Sequence, residues 1–284
     1  MKNFGVFLNP VYKGKNNIFK KLQVLQKKAA VNFYHLGEQS GNYPNFIRDL
    51  RELNGEKLDC ILVFGGDGTI LSAVKFSLRY NAALLGINIG KLGFLSESNF
   101  KELEKSIENL KKNRYKIQKR MLLDVHLKRD KKILFSDKVL NDVVINKGVI
   151  SKLIDIKITC NRRFVLETRC DGILAATPTG STAYSLSAGG PILSPIMEAI
   201  VVAALNPHVL SVRPMVFAAN DNLKFKLEKG YENSILQLDG KNSYKMKDGD
   251  EVIITSDTKK VEFIKLSNKT FYQILRKKLH MGRK

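Results

Sequence analysis

The sequence predicts an α/β N-terminal domain with a doubly wound, mostly parallel sheet, then an all-β, sandwich-like C-terminal domain, with a C-terminal helix packing back on the first. Three observations carry this prediction. Up to about Lys119, short apolar runs alternate with stretches of helical periodicity. Beyond it, period-two strands and tight turns take over. A lone helical stretch over 270–279 closes the chain. The expected division is residues 1–118 with 268–284 as the α/β domain and 119–267 as the β-rich domain. A length of 284 residues suits two domains of ordinary size.

Residues 4–8 form an apolar strand stopped by Asn9-Pro10, and 17–30 carry Ile18, Leu22, Leu25 and Ala29 at helical spacing. A strand over 31–35 follows, then a helix over 46–53 ended by Asn54-Gly55. Residues 60–64 are apolar throughout, as a strand buried on both faces of a parallel sheet should be. They run into Gly65-Gly66-Asp67-Gly68-Thr69, a helix through Arg79, a buried strand over 83–87 and an amphipathic helix over 101–113. In the second half, strands are predicted over 121–127, 139–145, 153–160, 223–227, 235–238 and 251–255, with turns at Asp239-Gly240 and Asp248-Gly249. One helix, over 194–205, is expected to interrupt them.

Lys+Arg 48 against Asp+Glu 27 leaves a formal charge of +21, yet 44% hydrophobic residues and a mean hydropathy of −0.17 supply enough apolar material for a core. No apolar stretch approaches the roughly 18 residues of a membrane span, and the N-terminus reaches Asn9-Pro10 too soon for a signal peptide. The expected compartment is the cytoplasm, with no membrane partner. Cys60, Cys160 and Cys170 contain no Cys-x-x-Cys pair, so they read as buried or half-buried thiols rather than a disulfide or zinc framework. Much of the charge lies beside acids, as in Lys101-Glu102-Leu103-Glu104-Lys105; only residues 265–284 form a basic block without an acid. The charge reads either as a lysine-rich surface or as an anion-attracting field.

Gly65-Gly66-Asp67-Gly68-Thr69 sits where a strand hands over to a helix, a place where glycines allow positive φ and close approach of backbone N–H groups to a phosphate. It is neither a Walker A segment nor a Gly-x-Gly-x-x-Gly fingerprint. Asp67 would repel phosphates unless it holds a metal or a substrate hydroxyl; alternatively the loop is a tight turn with Asp67 capping the helix. A second stretch, from Asp171 to Pro191, is crowded with small and hydroxyl residues that can satisfy a polar ligand at close approach. Tyr184 within it is either a stacking face or core filler.

Together these stretches resemble the NAD kinase family. The acidic glycine loop is shared with diacylglycerol and sphingosine kinases, whereas Thr177-Pro178-Thr179-Gly180-Ser181-Thr182-Ala183-Tyr184 is more specific. Gly90-Lys91-Leu92-Gly93-Phe94-Leu95, Leu140-Asn141-Asp142-Val143-Val144, Pro207-His208 and Arg213-Pro214 extend the resemblance over most of the chain. It implies a phosphate-binding kinase domain, a NAD-binding domain, and transfer of the γ-phosphate of ATP, or of polyphosphate, to the adenosine ribose 2′-hydroxyl of NAD, giving NADP. Asp67 would take or orient the hydroxyl proton, with Gly65, Gly66, Gly68 and Thr69 around the phosphates. Mg²⁺, the expected divalent cofactor, would bridge the nucleotide phosphates rather than sit in a protein metal site.

The resemblance also implies that Asn141 and Asp142 contact the dinucleotide, that Thr182, Ala183, Tyr184, Ser185 and Ser187 wrap it, and that Phe94 lies near adenine. Asp171 is expected near the nicotinamide end, from a neighbouring subunit of a homodimer or homotetramer. Lys152 and Arg169 are either pyrophosphate contacts or surface charge. His208 is either a proton relay or a structural hydrogen-bonding residue. This chain departs from the family in having Asn141-Asp142 for the usual Asn-Glu, and Asp239-Gly240-Lys241 for Asp-Gly-Gln. Two other readings compete: a diacylglycerol-type lipid kinase, and a nucleic-acid-binding protein resting on charge alone. Neither a large apolar entry surface nor a recognition motif supports them, and no nucleic-acid partner is expected.

Overall fold

Phe4–Leu8 and Cys60–Phe64 are buried at every position and lie side by side in parallel, as strands covered on both faces must. The computed structural model describes residues 1–9, 11–36, 43–90, 93–149, 152–230 and 234–282. Pro10 of the expected strand stop, Lys91 and Leu92 of the 90–95 motif, and Arg283 and Lys284 of the basic tail lie outside the described residues. Two units result, residues 1–119 with 261–284 and residues 120–260.

The first unit contains β1 (Asn3–Leu8), α1 (Lys15–Ala29), β2 (Asn32–His35), β3 (Ile47–Asp49), β4 (Cys60–Phe64), α2 (Asp67–Tyr80), β5 (Ala83–Asn88), the short β6 (Ser98–Asn99), α3 (Leu103–Lys111) and β7 (Lys116–Arg120). Alternate strand residues feed two layers. Phe4, Val6, Leu62 and Phe64 meet Ile18 and Leu22 of α1 and Ile107 and Leu110 of α3 on one face. On the other, Phe7 packs on Phe76 of α2 with ring centroids 5.4 Å apart. Helices on both faces make the sheet doubly wound.

The expected helix over 46–53 is instead an edge strand followed by a 3₁₀ turn, Leu50–Leu53. Asp49 decides this. Its Oδ1 accepts the Arg51 N–H (2.8 Å) while Glu52 accepts the Asp49 N–H (3.0 Å), a capping box that lets a helical turn begin only after Asp49.

The second unit holds β8 (Leu123–Arg129), β9 (Lys132–Val139), β10 (Asp142–Asn146), β11 (Ile154–Cys160), β12 (Arg163–Cys170), β13 (Gly172–Ala176), α4 (Tyr184–Ser187), β14 (Ala199–Leu205), β15 (Met215–Ala218), β16 (Leu223–Lys229), β17 (Ile235–Leu238), β18 (Asn242–Lys245) and β19 (Glu251–Ser256). These strands form two antiparallel sheets, ordered β15-β14-β13-β10-β17-β18 and β12-β11-β16-β19-β8-β9. Val143, Ile145, Ile173 and Leu236 of one meet Val125, Ile156, Phe225 and Val252 of the other in a shared core, which makes a sandwich.

The helix expected over 194–205 is not formed; Ala199–Leu205 is strand β14. The consecutive β-branched residues Ile200, Val201 and Val202 favour a strand. Both faces are buried: Ile200 and Val202 enter the sandwich core, while Val201 and Ala203 join Leu193 in an outer apolar layer. A run apolar on both faces has no period to betray it.

The chain returns to the first unit at β20 (Val261–Lys265), which lies parallel to β5, and ends in α5 (Phe271–Leu279). Residues 261–267 therefore belong with the first unit, because the buried Val261, Phe263 and Ile264 complete its sheet. That sheet runs β3-β2-β1-β4-β5-β20-β7, with β6 beside β5. Thr270 caps α5 in a box with Gln273. Cys60 and Cys170 are buried, Cys160 is half-buried, and all three thiols are free. Among the described residues no helix is long and apolar enough to cross a membrane.

Candidate active site

Strand β4 ends at Phe64 and α2 begins at Asp67, so Gly65 and Gly66 make the crossing. Gly66 is the N-cap, its carbonyl accepting the Thr69 and Ile70 N–H groups (2.9 and 3.2 Å). Contrary to expectation, Gly65, Gly66 and Gly68 do not have positive φ. Their contribution is space. A Cβ on Gly65 would lie 2.3 Å from Thr69 Oγ1, whereas one on Gly66 or Gly68 would meet no described atom within 4 Å. The N-terminal turn of α2 is thus open to close approach, with the helix dipole favouring an anion.

Asp67 does not cap the helix, so the turn-and-cap reading fails. Its Oδ2 accepts the Phe94 N–H at 2.8 Å and its Oδ1 the Leu95 N–H at 3.1 Å. Gly93 makes room for this, since a Cβ there would lie 2.0 Å from Asp67 Oδ1. The carboxylate is half-buried and locked in orientation, and each oxygen retains acceptor capacity. The half-buried Phe94 ring lies under Lys278 of α5, whose Nζ is 5.7 Å from its centroid.

The second unit holds another polar cluster. Asp142 opens β10 and is buried; Asn141 before it is half-buried. Thr177 Oγ1 donates to the Leu140 carbonyl (2.5 Å), accepts the Gly180 N–H (3.1 Å), and Thr177 N–H donates to the Asn141 carbonyl (2.8 Å). Gly180 packs so closely that a Cβ would lie 2.2 Å from the Asn141 carbonyl oxygen. The loop continues as a 3₁₀ turn, Gly180–Thr182, and then α4. Thr182 and Ala183 are half-buried, Ser187 exposed, and Ser185 fully buried with a hydroxyl lacking a hydrogen-bond partner among the described residues. Tyr184 is 47% exposed, so it is not core filler.

Asp142 has an unusual setting. Burial, and then the charge of Asp239, push its carboxyl up to about 7. A carboxyl raised on folding loses stability as pH climbs from the unfolded value toward the folded one, because the unfolded chain ionises freely. Asp142→Asn is therefore expected to raise thermal stability at pH 8, by at most on the order of 4 kcal/mol, and to change it little near pH 4. Melting curves followed by circular dichroism at the two pH values check this.

Residues 15–115 match the ATP-NAD kinase N-terminal domain and residues 140–266 the ATP-NAD kinase C-terminal domain. The chain belongs to the ATP-NAD kinase family. An NAD kinase of Clostridium botulinum (strain Loch Maree / Type A3) is 36% identical over 284 residues, 98% of this chain and 96% of the relative. One from Magnetococcus marinus is 37% identical over 234 residues, 82% and 77% of the two chains. The crystal structure of yeast NADH kinase complexed with NADH aligns at a TM-score of 0.86 and 25% identity, covering 100% of this chain and 89% of that one. An Archaeoglobus fulgidus NAD kinase in complex with ATP shares the fold, at a TM-score of 0.71, 22% identity and 98% of both chains.

The other expected ATP-NAD kinase positions have partners or settings of their own. Lys152 is exposed ahead of β11. Arg169 is exposed on β12 and holds Asp155 in a bidentate pair (2.7 and 3.0 Å). Asp171 is paired with Lys147 (2.5 Å) and accepts from Asn206 (2.9 Å), contacts that hold its carboxyl below the usual range. His208 is exposed, and its backbone N–H donates to the Arg169 carbonyl (2.8 Å). Asp171 precedes strand β13, and the loop that leads to α4 follows it.

Asp67 stands beside the open turn with one amide on each oxygen, and among the described residues no group of three His, Cys, Asp or Glu converges that would hold a metal by protein ligands alone. Sequence reasoning missed Gly93, Lys278 and Asp239. It also missed Arg120, a buried guanidinium lowered to about 10 by burial, with Nη1 3.5 Å from Thr179 Oγ1. Gly93 lay inside the 90–95 motif and Asp239 inside both a turn and the Asp-Gly-Lys triplet, signals that did not say where a side chain would reach.

Proposed function

We propose that this chain phosphorylates NAD at the adenosine ribose 2′-hydroxyl, taking the γ-phosphoryl group of ATP, to give NADP. The observation that carries the reading is the Asp67 carboxylate, held by the Phe94 and Leu95 amides beside the open N-terminus of α2, in a chain matching both domains of the family. The new bond is 2′-oxygen to γ-phosphorus; the bond broken joins that phosphorus to the β,γ-bridging oxygen, and ADP leaves. Asp67 accepts the hydroxyl proton and orients the oxygen for in-line attack, while the turn around Gly66 and Gly68 receives phosphate charge. A divalent cation enters with the nucleotide as the metal–nucleotide substrate, and polyphosphate is an alternative donor.

Asn141, Asp142, Thr182, Ala183, Tyr184, Ser185 and Ser187 hold the dinucleotide, and Phe94 faces adenine. Near neutral pH Asp142 can donate a hydrogen bond as well as accept one. Asp171 serves the nicotinamide end of a neighbouring subunit's dinucleotide. A second copy would cover exposed apolar residues such as Val216 on the edge strand β15. The expected compartment is the cytoplasm, in keeping with three free thiols. The lipid-kinase and nucleic-acid readings find no support in the family matches. Incubating purified protein with NAD, ATP and Mg²⁺ should yield NADP in a coupled dehydrogenase assay. Folded protein that forms none overturns the reading.

A further inference from the structure

Asp239 and Gly240 form the turn between β17 and β18, both in the left-handed region at φ 48° and 67°. Asn or Gly would serve such a turn as well as Asp, so the turn does not explain a half-buried carboxylate turned back onto the chain. Its hydrogen bonds do. Oδ1 accepts the N–H groups of Asn141 (2.7 Å) and Asp142 (3.2 Å), Oδ2 accepts that of Leu140 (3.0 Å), and the Asp239 N–H donates to the Asp142 carbonyl (3.0 Å). The β10–β17 ladder starts one residue later, at Val143 and Leu238. The side chain therefore continues as a surrogate strand where the ladder has not begun.

Thr177 takes the remaining carbonyls, of Leu140 and Asn141. Asp239 and Thr177 between them bond every backbone N–H and C=O of residues 140–142, which leaves side chains as what this segment offers a ligand. The arrangement also costs something: Asp142 is buried beside Asp239 and feels its charge. Asn at 239 would remove that repulsion. The charged groups at this point are Asp142 on β10 and Asp239 and Lys241 on the turn, where burial lowers Lys241 and the Asp239 charge opposes the fall. Burial raises the Asp239 carboxyl too, against the three N–H donors that favour its anion.

We propose that Asp239 is a positioning residue of the dinucleotide site, clamping the backbone of residues 140–142 so that the side chains of Asn141 and Asp142 are aimed at the ligand. This rests on the reading above that those two side chains contact NAD. Asp239→Asn in the full chain keeps the volume but sets an NH₂ group against at least one backbone donor. The expected result is NAD binding weakened about 10- to 100-fold, the loss of a charge-assisted bond, with kcat changed by less than about threefold. Amides 140–142 should exchange hydrogen faster, and the inflection of NAD affinity near neutral pH should move to lower pH as Asp142 is relieved of a neighbouring charge.

Asp250→Asn is the control. Asp250 is a fully buried acid of the same unit, paired with Arg129 at 2.7 and 2.8 Å, and its loss should lower the melting temperature without altering NAD affinity. Unchanged NAD affinity in Asp239→Asn, an unmoved pH inflection, or equal weakening in Asp250→Asn overturns the proposal. Should Asp239→Asn not fold, exchange in the wild-type protein decides: protection at 140–142 as strong as at 143–145 supports the clamp, and loop-like rates overturn it. That measurement needs no turnover. A wild-type protein that makes no NADP instead overturns the kinase reading.

Discussion

Asp67→Asn is expected to fold and bind NAD normally while losing about 10²- to 10⁴-fold in kcat, the range for removal of a general base. The substitution conserves size, so α2 and the open turn around Gly66 and Gly68 remain. One amide bond is retained through the Asn oxygen, while the NH₂ group faces either the Phe94 or the Leu95 donor. The dinucleotide contacts proposed for residues 141–142 and 182–187 lie in the other unit and are untouched. Steady-state kinetics at saturating NAD and ATP, with NAD affinity measured by calorimetry, separate the two effects. A variant turning over at the wild-type rate removes Asp67 from the chemistry; one that loses NAD affinity in proportion makes it a binding residue.

What could be read beforehand follows from the range of the forces involved. Strands such as Cys60–Phe64, apolar at every position, and Leu223–Lys229, alternating buried and part-buried, announce themselves because burial is written residue by residue. Ala199–Leu205 did not, since two cores claim its two faces and leave no polar stripe. In the acidic glycine loop the expected positive φ is absent, while the open space at Gly66 and Gly68 suits the close approach that was the other half of the expectation. Hidden above all were side-chain bonds between distant segments. Asp67 reaches 27 and 28 residues along the chain to Phe94 and Leu95, and Asp239 reaches back 98 residues to Asn141. A turn pattern reports backbone conformation and is silent about where the turn's carboxylate goes.

The basic tail shows the same limit. Helical spacing and the Thr270 cap make α5 predictable, and its terminal Arg276, Lys277 and Lys278 suit the negative end of a helix dipole. Two of its cations have specific partners: Lys265 pairs with Glu97, and Lys278 lies over the Phe94 ring. Part of the charge excess is therefore spoken for by structure. The Lys278 contact places a cation against the residue whose amide holds Asp67, so the tail and the acidic loop are joined through Phe94.

Gly93→Ala should reproduce most of the Asp67→Asn defect without altering the acid itself. The added methyl would lie 2.0 Å from Asp67 Oδ1 and 2.7 Å from its Cγ, far inside van der Waals contact. Either the carboxylate swings away or the 93–95 segment withdraws. In both cases the Phe94 and Leu95 hydrogen bonds are lost, and with them the fixed direction of the acceptor. A misplacement of about 1 Å is enough to cost on the order of 10²-fold in rate, and that is the expected fall in kcat at saturating NAD; a withdrawn 93–95 segment would also weaken NAD binding through Phe94. A double-mutant cycle tests the coupling. If Gly93 acts through Asp67, the methyl adds little to Asp67→Asn, and the double variant falls well short of the product of the two single losses. Independent, multiplicative losses would mean that Gly93→Ala damages the site by another route, and the pairing of Asp67 with the 93–95 amides would not be what orients the acid.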